Sequence, residues 1–314
     1  MEVSDNMSIA DKFFKDTCNK ILKNEDIKYE SRAVWPDTGE KAYTIKTFGV
    51  INRYNLQDEF PAITLRETNI KLAFDELLWI WQIKSNNIHS LHSKIWDQWA
   101  DSKGFIGKAY GYQLSQPYLH HKFTHDDIQS QTDFFYPSYN TKTVNGVKWV
   151  SLDQVDGILW DLKNNPFSRR MVTNIYNHKD LHEMNLYPCA YSMTFNCSKV
   201  PNSNKLLLNG ILNQRSQDML VANNWNVCQY ALLLMMMSQC CDMVPGELIH
   251  VISDCHIYDR HIPLIKELIS RNEYDAPRVY LSPYRNNFYS FGTCDLFIEQ
   301  YKTGAQIKKI PVAV

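Results

Sequence analysis

The sequence predicts an α+β fold in which a large β-sheet is flanked by helices, and three observations predict it. Segments with apolar residues at helical spacing occur along the whole chain. Between them lie shorter runs rich in β-branched and aromatic residues, which are typical of strands. No internal repeat and no convincing linker divides the 314 residues, so we expect one domain spanning residues 1–314.

The helices are predicted from the spacing of apolar residues. Five segments have this spacing: residues 7–24, 69–82, 151–164, 225–242 and 262–269. Residues 225–242 are apolar on every side, which predicts a helix in the core. Residues 69–82 carry Glu76 inside their apolar pattern. Because a buried, unpaired carboxylate is costly, Glu76 is expected to have a partner or a function.

The strands are predicted from β-branched, aromatic and alternating residues. They are residues 48–54, 171–176, 191–195, 205–214, 248–252, 279–281 and 294–301. Residues 29–44 are polar, contain a Pro36-Asp37-Thr38-Gly39 turn and are predicted to form a loop that carries Arg32. Residues 113–150 are polar and weakly periodic, which predicts an inserted or variable surface region.

Charge and composition exclude several classes of partner. The chain has 33 basic and 34 acidic residues, so no overall field favours nucleic acid or a membrane surface. The polar N-terminus differs from a signal peptide, and the longest apolar run, residues 231–237, is too short to cross a bilayer. The eight cysteines form no CxxC pair, so we expect reduced cysteines, mostly in the core, and a cytoplasmic protein.

Three histidines raise the question of a metal site. His120, His121 and His125 lie close together in the sequence. Their spacing is poor for a defined zinc site, and no second cluster of ligands supports one. We therefore predict no metal and interpret these histidines as part of the surface region at 113–150.

The most informative stretch is residues 185–218, which pairs a cysteine with an arginine. Cys189 precedes one strand-like run and Arg215 ends the next, so the hairpin can place the two side chains next to each other. A guanidinium beside a thiol favours the thiolate at neutral pH and so predicts a nucleophile. Arg169 and Arg170, at a helix–strand junction, suit either a phosphate or a solvated turn. Together these residues indicate an enzyme that acts on a phosphorylated small molecule.

At this point the sequence resembles a known family, the thymidylate synthases. The matching motifs occur in the family's order and cover nearly the whole chain except residues 113–150. They are Glu76-Leu77-Leu78-Trp79, Ile95-Trp96-Asp97-Gln98-Trp99, Ser168-Arg169-Arg170, Pro188-Cys189, Gln214-Arg215-Ser216-x-Asp218, Asp254-x-His256-Ile257-Tyr258 and the final Pro311-Val312-Ala313-Val314.

The resemblance implies a fold and a reaction. It implies a large mixed sheet flanked by helices and a homodimer formed sheet to sheet. It also implies reductive methylation of dUMP to dTMP, in which 5,10-methylenetetrahydrofolate is both carbon donor and reductant, with no metal. Cys189 would add to C6 of the uracil, which makes C5 a nucleophile toward the folate's one-carbon unit.

The resemblance also implies roles for individual residues. The catalytic group would be Cys189, Glu76, Tyr110, Arg215, Asn226 and Asp218. The dUMP site would be Arg32, Arg215, Ser216, Asn226, His256 and Tyr258, together with Arg169 and Arg170 from the partner subunit. The folate site would be Ile95, Trp96, Trp99, Leu186, Asp218, Val221, Ala222, Trp225 and Ala313. Glu76 would assist proton transfers through water, Tyr110 would help remove the C5 proton, and Val314 would close over the ligands.

The sequence departs from the family's pattern in several places. Arg66, followed by Glu67, stands where the family often has lysine near the folate tail. Ala190 follows the cysteine, where the family usually has histidine. Val221-Ala222-Asn223-Asn224-Trp225-Asn226 stands where the family often has Leu-Gly-Leu-Pro-Phe-Asn, which changes the folate pocket.

Two other functions are compatible with these motifs. A hydroxymethylase of the same superfamily would use water where the synthase uses hydride. Asn226 favours uracil in either enzyme, whereas Trp96, by shielding the reaction from water, favours reduction. An inactive relative that acts as a binding or RNA-regulating protein is disfavoured by Cys189, Arg215, Glu76 and Asn226, and no basic patch calls for an obligate nucleic-acid partner.

Overall fold

The computed structural model describes residues 7–122, 140–200 and 203–314, and five of the six α-helices in these residues lie where apolar spacing predicts them, the exception being the short Gly111–Leu114. In this part of the chain the helices are α1 (Ile9–Leu22), α2 (Ile70–Trp81), α3 (Gly111–Leu114), α4 (Gln154–Asn164), α5 (Trp225–Cys240) and α6 (Ile262–Ile269). Two begin at a capping side chain. Asn69 accepts the N–H of Leu72 at 3.1 Å, and Asp153 accepts the N–H groups of Val155 and Asp156.

The strands form one large sheet and two small ones. They are β1 (Tyr29–Val34), β2 (Lys41–Asn55), β3 (Tyr118–Lys122), β4 (Asn140–Val144), β5 (Val147–Leu152), β6 (Val172–Asn174), β7 (Ala190–Lys199), β8 (Leu206–Asp218), β9 (Val244–Tyr258), β10 (Arg278–Leu281) and β11 (Leu296–Glu299). The large sheet has the order β1-β2-β9-β8-β7-β6, and the small sheets are β3-β5-β4 and β10-β11. The predicted strands are all present, and several are longer than predicted.

The large sheet is mixed, as the resemblance implies. β8 and β9 run parallel, and the other neighbouring pairs in this sheet run antiparallel. Parallel neighbours need a crossover, which α5 supplies between the end of β8 and the start of β9. These findings confirm the α+β prediction.

One face of the large sheet is covered and the other is open. Buried residues such as Leu212 and Leu248 lie among the residues of α2 and α5 in a single core cluster. On the open face, a row of residues in register crosses five strands: Arg53, Ile249, Ile211, Thr194 and Val172. Phe48 and Ile51 on the same strand as Arg53 are 82% and 63% exposed, which is unusual for large apolar side chains.

The prediction of a loop over residues 29–44 is wrong. Tyr29–Val34 forms β1, an edge strand that pairs with the start of β2, and Arg32 therefore lies on a strand. The prediction failed because β1 is polar and largely exposed, so it lacks the alternation of apolar and polar residues that marks a half-buried strand.

The region at 113–150 contains a small sheet in its described part. β3 and β4 both pair with β5, and β5 leads directly into α4. His120 lies 3.6 Å from Asp161 in this region, while His125 and the side chain of His121 lie outside what the structure describes. The described residues hold no group of three or more His, Cys, Asp or Glu side chains placed to bind a metal ion.

Two further sequence predictions concern the cysteines and the apolar segments. All eight cysteines are free, and five of them, Cys18, Cys197, Cys228, Cys240 and Cys255, are buried, which confirms the expectation that most serve the core. Over residues 7–122, 140–200 and 203–314, the helices are all too short or too polar to cross a membrane.

Candidate active site

Cys189 and Arg215 lie side by side at the ends of two neighbouring strands. Ala190 of β7 pairs with Gln214 of β8, so the residues just beyond that pair also face each other. The N–H of Arg215 donates to the carbonyl of Cys189 at 2.9 Å, and Arg215 Nη2 lies 3.7 Å from Cys189 Sγ. The hairpin therefore produces the pair that the sequence predicts.

The prediction that Arg215 makes Cys189 a thiolate at neutral pH is wrong for the protein alone. Burial raises the pKa of the Cys189 thiol, and the charges of Arg215 and Arg32 lower it by less than burial raises it. The guanidinium of Arg215 also donates hydrogen bonds to two backbone carbonyls. Its Nε donates to that of Pro188 at 2.9 Å and its Nη2 to that of Tyr187 at 2.7 Å. The thiol is therefore protonated at neutral pH in this structure.

Tyr110 contacts the backbone of Cys189 from an unusual conformation. Its φ is +48°, in the left-handed region that side chains other than glycine seldom adopt. The N–H of Cys189 donates to Tyr110 Oη at 3.3 Å. Burial raises the pKa of Tyr110, so its side chain is a neutral phenol. It can hold water or substrate by hydrogen bonds, but it is not present as a phenolate base.

Glu76 is buried on α2 and has the partners its position demands. Its Oε1 accepts the indole N–H of Trp96 at 3.1 Å, and its Oε2 accepts that of Trp225 at 2.6 Å. Burial raises the pKa of Glu76 to about 7, even though these hydrogen bonds lower it. Near neutral pH both protonation states are populated, which suits a group that takes and returns protons. Trp96 also meets the ring of Tyr110 edge-on, with ring centroids 4.8 Å apart.

Asn226 is oriented by a chain of hydrogen bonds through the core. Burial lowers the pKa of His250 to about 3, so that imidazole is neutral, and its Nε2 lies 2.8 Å from Gln214 Oε1. Gln214 Nε2 donates to Asn226 Oδ1 at 3.3 Å, and Asn226 Nδ2 donates to Gln229 Oε1 at 3.1 Å. This chain fixes which end of the Asn226 amide is donor and which is acceptor. One donor hydrogen and one acceptor lone pair are left for a base edge.

A second polar group lies at the end of β9, beside β8. His256 Nδ1 lies 2.9 Å from Asp254 Oδ1, and Asp254 also pairs with Lys46 of β2 at 3.0 Å. The ring of Tyr258 meets His256 edge-on at 5.2 Å. Ser216 of β8 is paired with Asp254, so its hydroxyl belongs to the same part of the sheet.

The four arginines expected for a phosphate fall into two sets. Arg32 and Arg215 both act electrostatically on the Cys189 thiol, so both lie in its surroundings. Arg169 and Arg170 are exposed, just before β6 at the edge of the large sheet. Within one chain, therefore, two of the four arginines lie near Cys189.

The residues expected around the folate form an apolar wall with one carboxylate. Trp96 is buried, Trp99 packs edge-on against it at 5.7 Å, and Ile95 and Val221 are 40% and 38% exposed. Leu186, Ala222, Trp225 and Ala313 are half-buried.

Asp218 supplies the carboxylate at the end of β8. Its Oδ1 accepts the N–H groups of Leu220 at 2.8 Å and Val221 at 3.1 Å. Burial alone would raise the pKa of Asp218, but the neighbouring His261 and then His256 lower it by more, so the pKa is below its ordinary value. Asp218 is therefore an ionised acceptor at neutral pH.

The C-terminal residues are docked. Val34 and Val314 exchange backbone hydrogen bonds of 2.7 and 3.0 Å, and His261 Nε2 lies 2.7 Å from the carbonyl of Pro311. The tail therefore adds to the edge of β1, two residues beyond Arg32.

Sequence reasoning missed two contacts at this site. It assigned Trp225 to the folate wall and did not anticipate its bond to Glu76. The available signal was the spacing Trp225-x-x-x-Gln229, which places both polar side chains on one face of α5, toward a helix with a buried carboxylate. The other missed contact is made by Arg66, which the family resemblance places near the folate tail. Its Nη2 donates to the carbonyls of Leu220 and Asn223 and so supports the loop after Asp218.

Comparisons with known proteins agree with this geometry. A family model described as thymidylate synthase matches residues 12–314. "Thymidylate synthase" of Bacillus licheniformis is 36% identical over 306 residues, covering 96% of this chain and 98% of that protein. "Thymidylate synthase 1" of Bacillus subtilis strain 168 is 34% identical over the same length. The solved structure of thermostable thymidylate synthase A from Bacillus subtilis matches with a TM-score of 0.80 at 34% identity, covering 97% of this chain and 99% of that one. The chain therefore belongs to the thymidylate synthase family.

Proposed function

We propose that this chain converts dUMP to dTMP, with Cys189 as the nucleophile and residues 1–314 as one catalytic domain. The observation that carries the proposal is the placement of Cys189 Sγ 3.7 Å from Arg215 Nη2. The same cysteine's N–H bonds to Tyr110, which packs on Trp96, which in turn bonds to Glu76. A nucleophile, a cation and a buried proton carrier are thus joined by direct contacts.

Cys189 adds through sulfur to C6 of the uracil ring. Because the raised pKa keeps the free thiol protonated, its proton passes to water as the carbon–sulfur bond forms. The guanidinium of Arg215 stabilises the negative charge on sulfur during this step. Electron density then moves through C5 toward the C4 oxygen, where Glu76, acting through water, gives or takes a proton.

Asn226 recognises the uracil edge, and the arginines recognise the phosphate. The oriented amide of Asn226 offers one donor to the O4 carbonyl and one acceptor to N3–H, which is the pattern of uracil and not of cytosine. Arg32 and Arg215 bind the 5′-phosphate from the same chain as Cys189, with Ser216 adding a hydroxyl donor. His256 and Tyr258 hold the deoxyribose hydroxyl, since Asp254 fixes the His256 ring.

The residues beside Glu76 fit 5,10-methylenetetrahydrofolate as co-substrate. Half-exposed apolar side chains such as Ile95 and Val221 offer a surface to a flat ring system, and the ionised Asp218 offers an acceptor to ring N–H groups. When bound there, this folate supplies the one-carbon unit and the hydride. Trp96, Trp99, Leu186, Ala222, Trp225 and Ala313 complete the wall on the protein side, and Val314 covers it.

The working enzyme is proposed to be a homodimer that joins the open faces of two large sheets. The row Arg53-Ile249-Ile211-Thr194-Val172, in which Arg53, Ile211 and Val172 are exposed, would be covered in such a dimer, as would the exposed Phe48 and Ile51. Arg169 and Arg170 lie next to this face, just before β6. Each would reach the partner's phosphate site and complete the set of four arginines.

The experiment that tests the nucleophile uses dUMP carrying fluorine at C5. No proton can be removed from that carbon, so the adduct on Cys189 accumulates in the presence of methylenetetrahydrofolate. Intact-mass measurement is expected to give one nucleotide per chain, and peptide mapping is expected to place it on Cys189. The Cys189→Ala variant should carry none, and the exposed Cys294 serves as an internal control for indiscriminate labelling. Adduct on another cysteine would overturn the assignment.

A further inference from the structure

The buried carboxylate of Glu76 is held by two indole N–H groups on opposite oxygens. Trp96 donates to Oε1 and Trp225 to Oε2, and the Trp225 bond is the shorter at 2.6 Å against 3.1 Å. Trp225 is the first residue of α5 and adjoins Asn226 in sequence. The first turn of α5 therefore carries both Asn226, which is proposed to recognise the uracil, and Trp225, which donates a hydrogen bond to Glu76.

The surroundings of Glu76 make each of these donors important. Asp75 on the same helix disfavours the ionised form of Glu76 through its own charge. Tyr110 at the start of α3 and Tyr230 on α5 also face Glu76 and are neutral phenols, because burial raises the pKa of both. Trp96, Trp225 and Gln229 are the groups that favour the carboxylate by hydrogen bonding. The charge of the Glu76 carboxylate is therefore stabilised by neutral hydrogen-bond donors, and none of the groups described around it is a cation.

We propose that Trp225 is a positioning residue for Glu76, and that its indole N–H holds the carboxylate in place and stabilises its ionised form. This inference rests on the proposed function, because it assigns Trp225 to the proton carrier in addition to the folate wall. A hydrogen bond to a charged group favours the charged form, so the loss of one donor should raise the pKa of Glu76 by roughly one to two units. Loss of the donor alone should therefore move the titration of Glu76 measurably upward.

The decisive substitution is Trp225→Phe, which keeps an aromatic ring and removes the N–H. The acidic limb of the kcat–pH profile is expected to move up by about one unit, so that kcat falls about tenfold near pH 6.5 and largely recovers above pH 9. Trp96→Phe should move the limb in the same direction. Trp99→Phe is the matched control: Trp99 packs on Trp96 at the folate wall, so its loss should raise KM for the folate and leave the limb in place.

A second readout does not depend on turnover. Infrared difference titration of the buried carboxyl, with Glu76→Gln to identify its band, should give a higher midpoint in Trp225→Phe than in the unsubstituted protein. An unmoved midpoint together with an unmoved limb, with only KM for the folate raised, would reduce Trp225 to a stacking residue and overturn the inference. If the unsubstituted protein makes no dTMP but its Glu76 midpoint still depends on Trp225, the proposed function fails and the contact stands.

Discussion

Val34 and Val314 exchange both backbone hydrogen bonds, which joins the last residue of the chain to the strand that carries Arg32. β1 is an edge strand and has a free side on which the tail can add. His261 holds the tail at a second point, through the carbonyl of Pro311. The residue expected to cover the ligands and an arginine expected to bind the phosphate are therefore parts of one small sheet edge.

Deleting Val314 should weaken both phosphate binding and closure. Two backbone hydrogen bonds are lost, worth together about 2 kcal/mol, so kcat/KM should fall at least tenfold. Steady-state kinetics and dUMP binding by calorimetry measure the two effects. Val314→Ala is the matched control, since it keeps the backbone bonds and should stay within about threefold of the parent. Equal losses in the deletion and the alanine variant would contradict a backbone role.

The free thiol of Cys189 should react slowly at neutral pH. Because burial raises its pKa, the rate of alkylation by iodoacetamide should keep rising above about pH 9.5, where the rate for an ordinary thiol levels off. Arg215→Met removes the larger of the two lowering charges and should move the rise to still higher pH. Peptide mapping separates Cys189 from the exposed Cys294. A rate that reaches its plateau below pH 7 would mean that Arg215 outweighs burial.

Glu76 should make the protein less stable as pH rises. Its folded-state pKa of about 7 lies above the ordinary 4.5, so the native state binds the proton more tightly than the unfolded chain does. That contribution is fully present below about pH 4.5 and is lost as pH rises through about 7, with a size of up to about 3 kcal/mol. Urea unfolding at several pH values should show this loss in the parent.

The comparison that isolates Glu76 is the Glu76→Gln variant, which cannot ionise there. Asp11, whose pKa burial raises to about 6, contributes a similar slope to both proteins and cancels in the difference. The gap in free energy of unfolding between parent and variant should therefore change between pH 5 and pH 8. Parallel profiles would mean that Glu76 has an ordinary pKa.

Active sites shared between subunits should be rescued by mixing two inactive variants. Arg169→Glu removes a phosphate ligand from the partner's site, and Cys189→Ala removes the nucleophile from its own. In an equal mixture half of the dimers are hybrids, each with one intact site, so activity should return to about a quarter of the parent's. The control is each variant mixed with itself. No rescue, in a mixture in which hybrid dimers are demonstrated, would place Arg169 outside the partner's site.

Much of the fold follows from local patterns. The apolar spacing of residues 225–242 predicts α5, and the alternation in residues 205–214 predicts β8, because each segment buries one continuous surface. β9 is longer than the predicted strand 248–252, because the polar residues Ser253, Asp254 and His256 interrupt the apolar pattern after residue 252. Polar residues at the end of a central strand interrupt the alternation of apolar and polar residues, and such interruptions are expected at functional sites.

The site was less predictable than the fold. The Cys189–Arg215 pair follows from a hairpin, but its electrostatics do not, because burial depends on elements distant in sequence. The bond between Trp225 and Glu76 joins residues 149 positions apart. Arg32 is predicted in a loop because its strand is polar, and Val314, which pairs with Val34 of that strand, lies at the other end of the chain. All three features depend on packing between residues that are distant in the sequence, which local sequence patterns do not report.

We propose above all that the site around Cys189 transfers a methylene unit and a hydride to C5 of dUMP, which together form the methyl group of dTMP. The most direct measurement is to incubate the protein with dUMP and 5,10-methylenetetrahydrofolate and to identify both products by chromatography and mass spectrometry. We expect dTMP and dihydrofolate in equal amounts. Hydroxymethyl-dUMP with tetrahydrofolate would contradict that claim, because water would then have reached the carbon that Trp96 is proposed to shield.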